Sequence, residues 1–241
     1  MSFLQLFNIT KNFGGLRAVG SLALEVKKGE ILGLIGPNGA GKTTVFNLIT
    51  GFSRPDEGDI RFDDMSLIGF KPHDVSKLGV TRTFQLVKPF AGLTVLENVM
   101  VGAFRKTRDR VLARKEALRI LDFLELGHLR KMKAGALTIS DRKHLEIARA
   151  LATRPKILLL DEPMAGMNPT EVDLMMGQIQ RIREEGTTLF IIEHVMKAIM
   201  AISDRIVVLH HGEKIAEGTP KEVSSNQDVI TAYLGEESVA S

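Results

Sequence analysis

Gly36-Pro37-Asn38-Gly39-Ala40-Gly41-Lys42-Thr43 fills every fixed position of the phosphate-loop pattern G-x-x-x-x-G-K-[ST]. Upstream, Gly29 to Ile35 reads as a short buried strand, and downstream Lys42 to Thr50 reads as a helix. This strand–loop–helix context separates the motif from a chance glycine-rich turn. Glycines let the backbone wrap closely, so that successive N–H groups and the helix start at Lys42, Thr43 and Thr44 face phosphate oxygens. The lysine, Lys42, is placed to reach the β- and γ-phosphates, and the Thr43 hydroxyl to ligate Mg²⁺. The stretch therefore predicts a nucleoside triphosphate ligand.

Composition sets the frame around that loop. A chain of 241 residues with 44% hydrophobic and 25% charged residues can bury a substantial core. No apolar run approaches the roughly 18–20 residues of a membrane span, and the start, Met1 to Leu6, lacks the form of a signal peptide. With no cysteine, thiolate metal sites and a cysteine nucleophile are excluded, in keeping with a reducing cytoplasm. A net charge of +3 does not demand a nucleic-acid partner, and one Tyr with no Trp disfavours base stacking. The densest basic stretch, Arg105 to Arg110 with Arg114 and Lys115, runs into Glu116, Asp122 and Glu125 and reads as a solvated helix face.

Along the chain, Leu4–Ile9 and Ser21–Val26 read as short strands. Pro55-Asp56-Glu57-Gly58 is a turn before a strand near Asp59–Asp63. Residues 90–150 are mainly helical, with Thr94-Val95-Leu96-Glu97 in capping-box form. Ile157–Leu160 and Thr188–Ile192 are continuous apolar runs, as strands buried on both faces require. Asn168-Pro169-Thr170-Glu171 supplies an N-cap, an N1 proline and an N3 glutamate for a helix to about Glu184. A hairpin is expected over Arg205–Glu217.

The strand Ile157–Leu160 ends in Asp161-Glu162-Pro163. Two tandem carboxylates there suit a phosphate-loop hydrolase, with Asp161 holding Mg²⁺ and Glu162 polarising the attacking water. The next strand ends in Glu193-His194, which places His194 for a γ-phosphate contact. Gln85, in Thr81-Arg82-Thr83-Phe84-Gln85, is expected to close another short strand and add a Mg²⁺ or water contact.

In this order, phosphate loop, Gln85, helical block, Asp161-Glu162 and His194 resemble the ATP-binding-cassette (ABC) ATPase domain across essentially the whole chain. The resemblance implies an α/β fold: a RecA-like phosphate-loop core with a mostly parallel sheet, an antiparallel β subdomain and a helical subdomain. The single domain 1–241 would divide into core and β subdomain over about 1–85 and 155–241, and helical subdomain over about 90–150. It further implies ATP and Mg²⁺ as ligands, Phe13 stacked on adenine, and Ala165-Gly166-Met167-Asn168 as an interface loop. Two such domains would sandwich two ATP molecules, so the chain pairs with a second copy or a sister ATPase.

The segment equivalent to the family's L-S-G-G-Q departs from it. Here it reads Leu137-Thr138-Ile139-Ser140-Asp141, and Thr138, Ser140 and Asp141 would contact the partner's ATP in trans. A Cβ at Ser140 would lengthen that contact, and Asp141 brings negative charge near a triphosphate. A working, non-consensus signature is one reading, and an ATP-gated subunit with weak turnover is the other.

Phe13-Gly14-Gly15-Leu16, Thr81 to Gln85, Leu93 to Val99 and Ala165 to Glu171 together resemble the LivG-type cassette of branched-chain amino acid importers. Cassettes for urea or amide import and for lipopolysaccharide export share much of this wording. The implied setting is cytoplasmic, on the inner face of the cell membrane. Permease subunits would be direct partners, and a periplasmic or extracellular solute-binding protein an indirect one. Phe84, Leu86, Val87, Pro89 and Phe90 form an apolar stretch suited to a permease helix. A soluble cassette acting on DNA or ribosomes would carry a second cassette, a coiled-coil insertion or a basic linker, none of which is visible.

Overall fold

Two twelve-residue strands, β1 (Ser2–Phe13) and β2 (Leu16–Lys27), open the chain and pair antiparallel across the turn Gly14-Gly15. They are longer than the expected Leu4–Ile9 and Ser21–Val26. Asn8 (φ 47°) and Ser21 (φ 44°) sit in the left-handed region, and the register shifts between Leu6 and Asn12. Such bulges break the period-two alternation on which the sequence reading relies. The computed structural model of the protein describes residues 2–85 and 88–237. It divides into two units, residues 1–78 with 188–241 and residues 79–187.

In the first unit, β3 (Ile31–Ile35) leads into α1 (Lys42–Ile49), followed by β4 (Glu57–Phe62), β5 (Met65–Ser66) and α2 (Pro72–Leu78). The order β2-β1-β4-β5 makes an antiparallel sheet. All five residues of β3 are buried.

The second unit starts with β6 (Val80–Arg82) and continues through α3 (Val95–Ala103), α4 (Arg110–Phe123) and α5 (Ile139–Leu151) to β7 (Ile157–Asp161) and α6 (Pro169–Glu184). The capping boxes at Thr94/Glu97 and Asn168/Glu171 form as their sequences predict. Asp109 caps α4. β6 and β7 run parallel, with Thr81 opposite Leu158. Fully buried Asn98 fixes the turn before α3: its Oδ1 accepts from Phe90 N–H at 2.9 Å, and its Nδ2 donates to the carbonyls of Phe90 (3.1 Å) and Thr94 (2.9 Å).

The chain then completes the first unit with β8 (Thr188–Ile192), α7 (Met196–Ile202), the hairpin β9 (Arg205–His210) and β10 (Glu213–Gly218), α8 (Pro220–Ser224) and α9 (Gln227–Glu237). β3 runs parallel between β8 and β9, with Gly33 opposite Ile191 on one side and Ile206 on the other. Both flanks being strand, and both faces covered, explains why β3 and β8 read as unbroken apolar runs. Phe46 of α1 meets Phe190 of β8 edge-on, ring centroids 5.1 Å apart. Arg205 pairs with Glu30 at 2.9 Å and with Glu217, tying β9 to the start of β3 and to β10. Mostly parallel strands with helices, an antiparallel sheet and a helical block are the expected fold class.

Candidate functional site

The phosphate loop is held open by contacts that leave no room for side chains. A Cβ on Gly36 (φ 149°) would lie 2.1 Å from the Leu209 carbonyl oxygen, and one on Gly41 (φ 100°) 2.3 Å from that of Ala18. Strands β9 and β2 therefore press on the two ends of the loop, and only glycine fits. Gly41 stands at the N-cap of α1 and supplies no side-chain cap to the first turn, Lys42, Thr43 and Thr44. The Lys42 side chain is 5% exposed and curls back, its Nζ donating to the carbonyls of Gly36 (2.6 Å) and Pro37 (2.7 Å). Asn38, Gly39 and Thr43 are exposed, whereas Pro37 and Ala40 are buried.

Two further residues of this unit were expected to act with the loop. Phe13 ends β1, 53% exposed and no part of the core, with Lys11 Nζ over its ring at 5.5 Å from the centroid. His194 follows β8 and is exposed. Its neighbour Glu193, fully buried, accepts the N–H groups of His194 and Val195 at 2.9 and 3.1 Å and fixes the turn into α7.

The second unit gathers the carboxylates. Asp161 closes β7, its Oδ2 2.5 Å from Arg82 Nη2, with both side chains under 5% exposed. Its Oδ1 is buried and accepts no hydrogen bond from the described residues. Glu162 follows in the left-handed region, φ 50°. A non-glycine residue in that conformation persists only where its surroundings hold it. Gln85 Nε2 donates to Glu162 Oε2 at 2.7 Å, and Lys143 Nζ of α5 donates to the Glu162 carbonyl at 2.7 Å. Gln85, Asp161 and Glu162 thus lie together within this unit.

Gln85 does not close a strand, contrary to expectation: β6 ends at Arg82. The Thr83 amide still pairs with the Leu159 carbonyl, and the Phe84 amide, on the side away from β7, donates to the Glu146 carboxyl at 2.7 Å.

Arg82, Lys143 and Glu146 were missed as site residues. The signal was present: Lys143 and Glu146 are charged, three apart and so on one face of α5, among buried Leu145, Ile147 and Ala148. Burial pushes the Glu146 carboxyl up to about 7, against the pull of the Phe84 N–H, Arg149 and Lys143. Below pH 4.5 both folded and unfolded chains carry this proton. Between 4.5 and about 7 only the folded chain does, so stability falls as pH rises across that window. Above pH 7 the charge costs the fold on the order of 3 kcal/mol. Glu146→Gln is accordingly expected to melt higher than the parent at pH 8 and near it at pH 5. Thermal denaturation at the two pH values checks this.

At the start of α5, Thr138 is the N-cap, its Oγ1 accepting the Asp141 N–H at 3.1 Å and donating to Asp141 Oδ2 at 2.7 Å. Ser140 sits in the first helical turn with negative φ, so the backbone conformation itself does not demand glycine there.

A family model described as ABC transporter matches residues 19–165, and one described as branched-chain amino acid ATP-binding cassette transporter matches residues 213–239. The chain is 42% identical to the high-affinity branched-chain amino acid transport ATP-binding protein BraF of Pseudomonas aeruginosa, covering 97% of this chain and 98% of the relative. It is 43% identical to LivG of Escherichia coli at the same coverage. The solved ADP conformation of MJ1267, an ATP-binding cassette of an ABC transporter, superposes with a TM-score of 0.89 at 34% identity, over 98% of this chain and 99% of that one. By sequence along nearly its whole length and by fold, the chain belongs to the ATP-binding-cassette transporter family.

Proposed function

We propose that this chain is the ATP-hydrolysing subunit of an importer for branched-chain or related amino acids. The observation that carries the reading is Gln85 hydrogen-bonded to Glu162 beside Asp161, in a chain that also folds a phosphate cradle. Similarity to BraF and LivG supports the choice of solute.

Each residue has a task set by its chemistry. The loop amides from Gly36 to Gly41 and those of Lys42, Thr43 and Thr44 bind phosphate oxygens, and Lys42 exchanges two carbonyls for the β- and γ-phosphates. Phe13 offers its exposed ring to adenine. Glu162 polarises the attacking water, Gln85 orients Glu162, and His194 contacts the γ-phosphate. Thr43, Gln85 and Asp161 are the residues that would hold Mg²⁺, which when bound neutralises phosphate charge. The Asp161 Oδ1, buried without a hydrogen bond, fits an ion of that kind, since such a carboxylate oxygen is costly unless something satisfies it.

Thr138, Ser140 and Asp141 serve the ATP of a second copy or of a sister ATPase. The hydroxyl of Thr138 is engaged by Asp141, and this favours a second reading, slow turnover, because the pair must open before Thr138 reaches a phosphate. Phosphate release by the purified chain under saturating Mg-ATP decides between them. A rate raised by Ser140→Gly or Asp141→Gln identifies the signature as the brake. No release at all from the chain, alone or with its permease, removes the hydrolytic reading.

No helix among the described residues is long and apolar enough to cross a membrane, so attachment rests on permease subunits, with a solute-binding protein acting through them. Phe84 (42% exposed), Phe90 (46%) and Leu93 (36%) provide an apolar docking surface, while Leu86 and Val87 lie outside the described residues. Phe90→Asp is expected to cut ATP-driven uptake and permease co-purification about tenfold, as loss of a buried aromatic anchor would. Unchanged co-purification would place the permease contact elsewhere.

A further inference from the structure

Four consecutive residues, from the last of β6 onward, are each tied to other parts of the second unit. Arg82 pairs with Asp161, Thr83 Oγ1 accepts the Asp161 N–H at 3.1 Å, the Phe84 amide is held by Glu146, and Gln85 holds Glu162. One of these anchors, Glu146, and Lys143, which holds the Glu162 carbonyl, come from one face of α5, the helix capped by Thr138. Together with Thr83, Phe84, Ile147, Asp161, Glu162 and Pro163 they line one small cleft.

We propose that α5 is a brace in which Glu146 positions Gln85 through the Phe84 amide, and Lys143 positions Glu162 through its carbonyl. The inference rests on the hydrolytic reading for its consequence, but its geometry does not. A residue in the left-handed region relaxes unless it is overdetermined, and Glu162 is held at both its carbonyl and its carboxylate. Remove Glu146 and the Phe84 amide loses its acceptor, which frees the backbone on which Gln85 is mounted. Because the helix is stiff, a shift at Thr138, where the partner's nucleotide would bind, is carried along α5 to the pair that acts on the chain's own nucleotide. Glu146 is a positioning residue: it touches no reacting atom.

Glu146→Ala and Glu146→Gln test this in the full chain. The glutamine keeps an acceptor for the Phe84 amide, whereas alanine does not. Amide exchange over residues 80–90 should accelerate about tenfold in the alanine variant, the loss of one hydrogen bond to a carboxylate. The glutamine variant should exchange like the parent. In Mg-ATP turnover the alanine variant should lose about tenfold in kcat with little change in KM, and glutamine should restore most of it. Parental exchange in the alanine variant, or equal kcat losses in both variants, would overturn the brace. A parent chain that releases no phosphate would instead remove the hydrolytic reading, and the exchange comparison would still decide the brace.

Discussion

Glu162→Gln is expected to lower phosphate release about a hundredfold or more, the usual loss when a general base is removed, with ATP binding retained. The physical basis is the separation of tasks. In the proposed site the triphosphate contacts reside in the amides and lysine of the loop, which this substitution leaves alone. Glutamine has nearly the volume of glutamate and can present its carbonyl oxygen to Gln85 Nε2, so the 2.7 Å contact survives while the basicity is lost. Conversion of ATP to ADP would then stall with both nucleotides in place, and a dimer should accumulate in ATP. Solution mass with and without ATP reads this directly. An ATP-dependent dimer shows that Thr138, Ser140 and Asp141 complete a composite site. A persistent monomer with tight ATP binding points to an obligate sister ATPase or to a signature that fails in trans. Repeating the measurement with Ser140→Gly added separates the two, because only the second is repaired by removing a Cβ.

Gly36→Ala carries the next largest effect. The added methyl would stand 2.1 Å from the Leu209 carbonyl oxygen, a backbone atom within a strand. Nothing flexible can yield, so either β9 shifts or the loop abandons its left-handed turn. A cost of roughly 3 kcal/mol is expected, which for a chain of this size lowers the melting temperature by about 6–12 °C. Nucleotide affinity should fall further than stability, because the carbonyls of Gly36 and Pro37 position Lys42. Gly39→Ala is the matched control: its φ of 79° strains an alanine, yet among the described residues nothing beyond its chain neighbours lies within 4 Å of the added carbon. Melting curves and titration with a fluorescent ATP analogue would show Gly36→Ala as the more damaging of the two. Equal effects would mean that conformation alone, and not the press of β9, fixes the loop.

Much of this was legible in the residues because it is local. The phosphate loop, the helix caps at Thr94 and Asn168, and the apolar strands ending at Asp161 and Ile192 depend on a few neighbours along the chain. Their spacing states their structure. The ordered set of motifs, from Phe13 to His194, was enough to identify the family.

What the sequence left undecided depends on partners far apart in the chain. The true length of β1 and β2 was hidden by bulges at Asn8 and Ser21, where pairing with another strand outweighs alternation. The segment just past β6 is held by a carboxyl 62 residues away, at Glu146. Arg82 looked like any strand residue until β7 brought Asp161 beside it. The burial of Lys143 and Glu146, and the backbone groups they meet, come from segments remote in sequence. Local chemistry fixes which residues can form a turn, a cap or a phosphate cradle. Only the folded chain determines which buried charge meets which amide, since that choice is made by packing between segments the sequence holds apart.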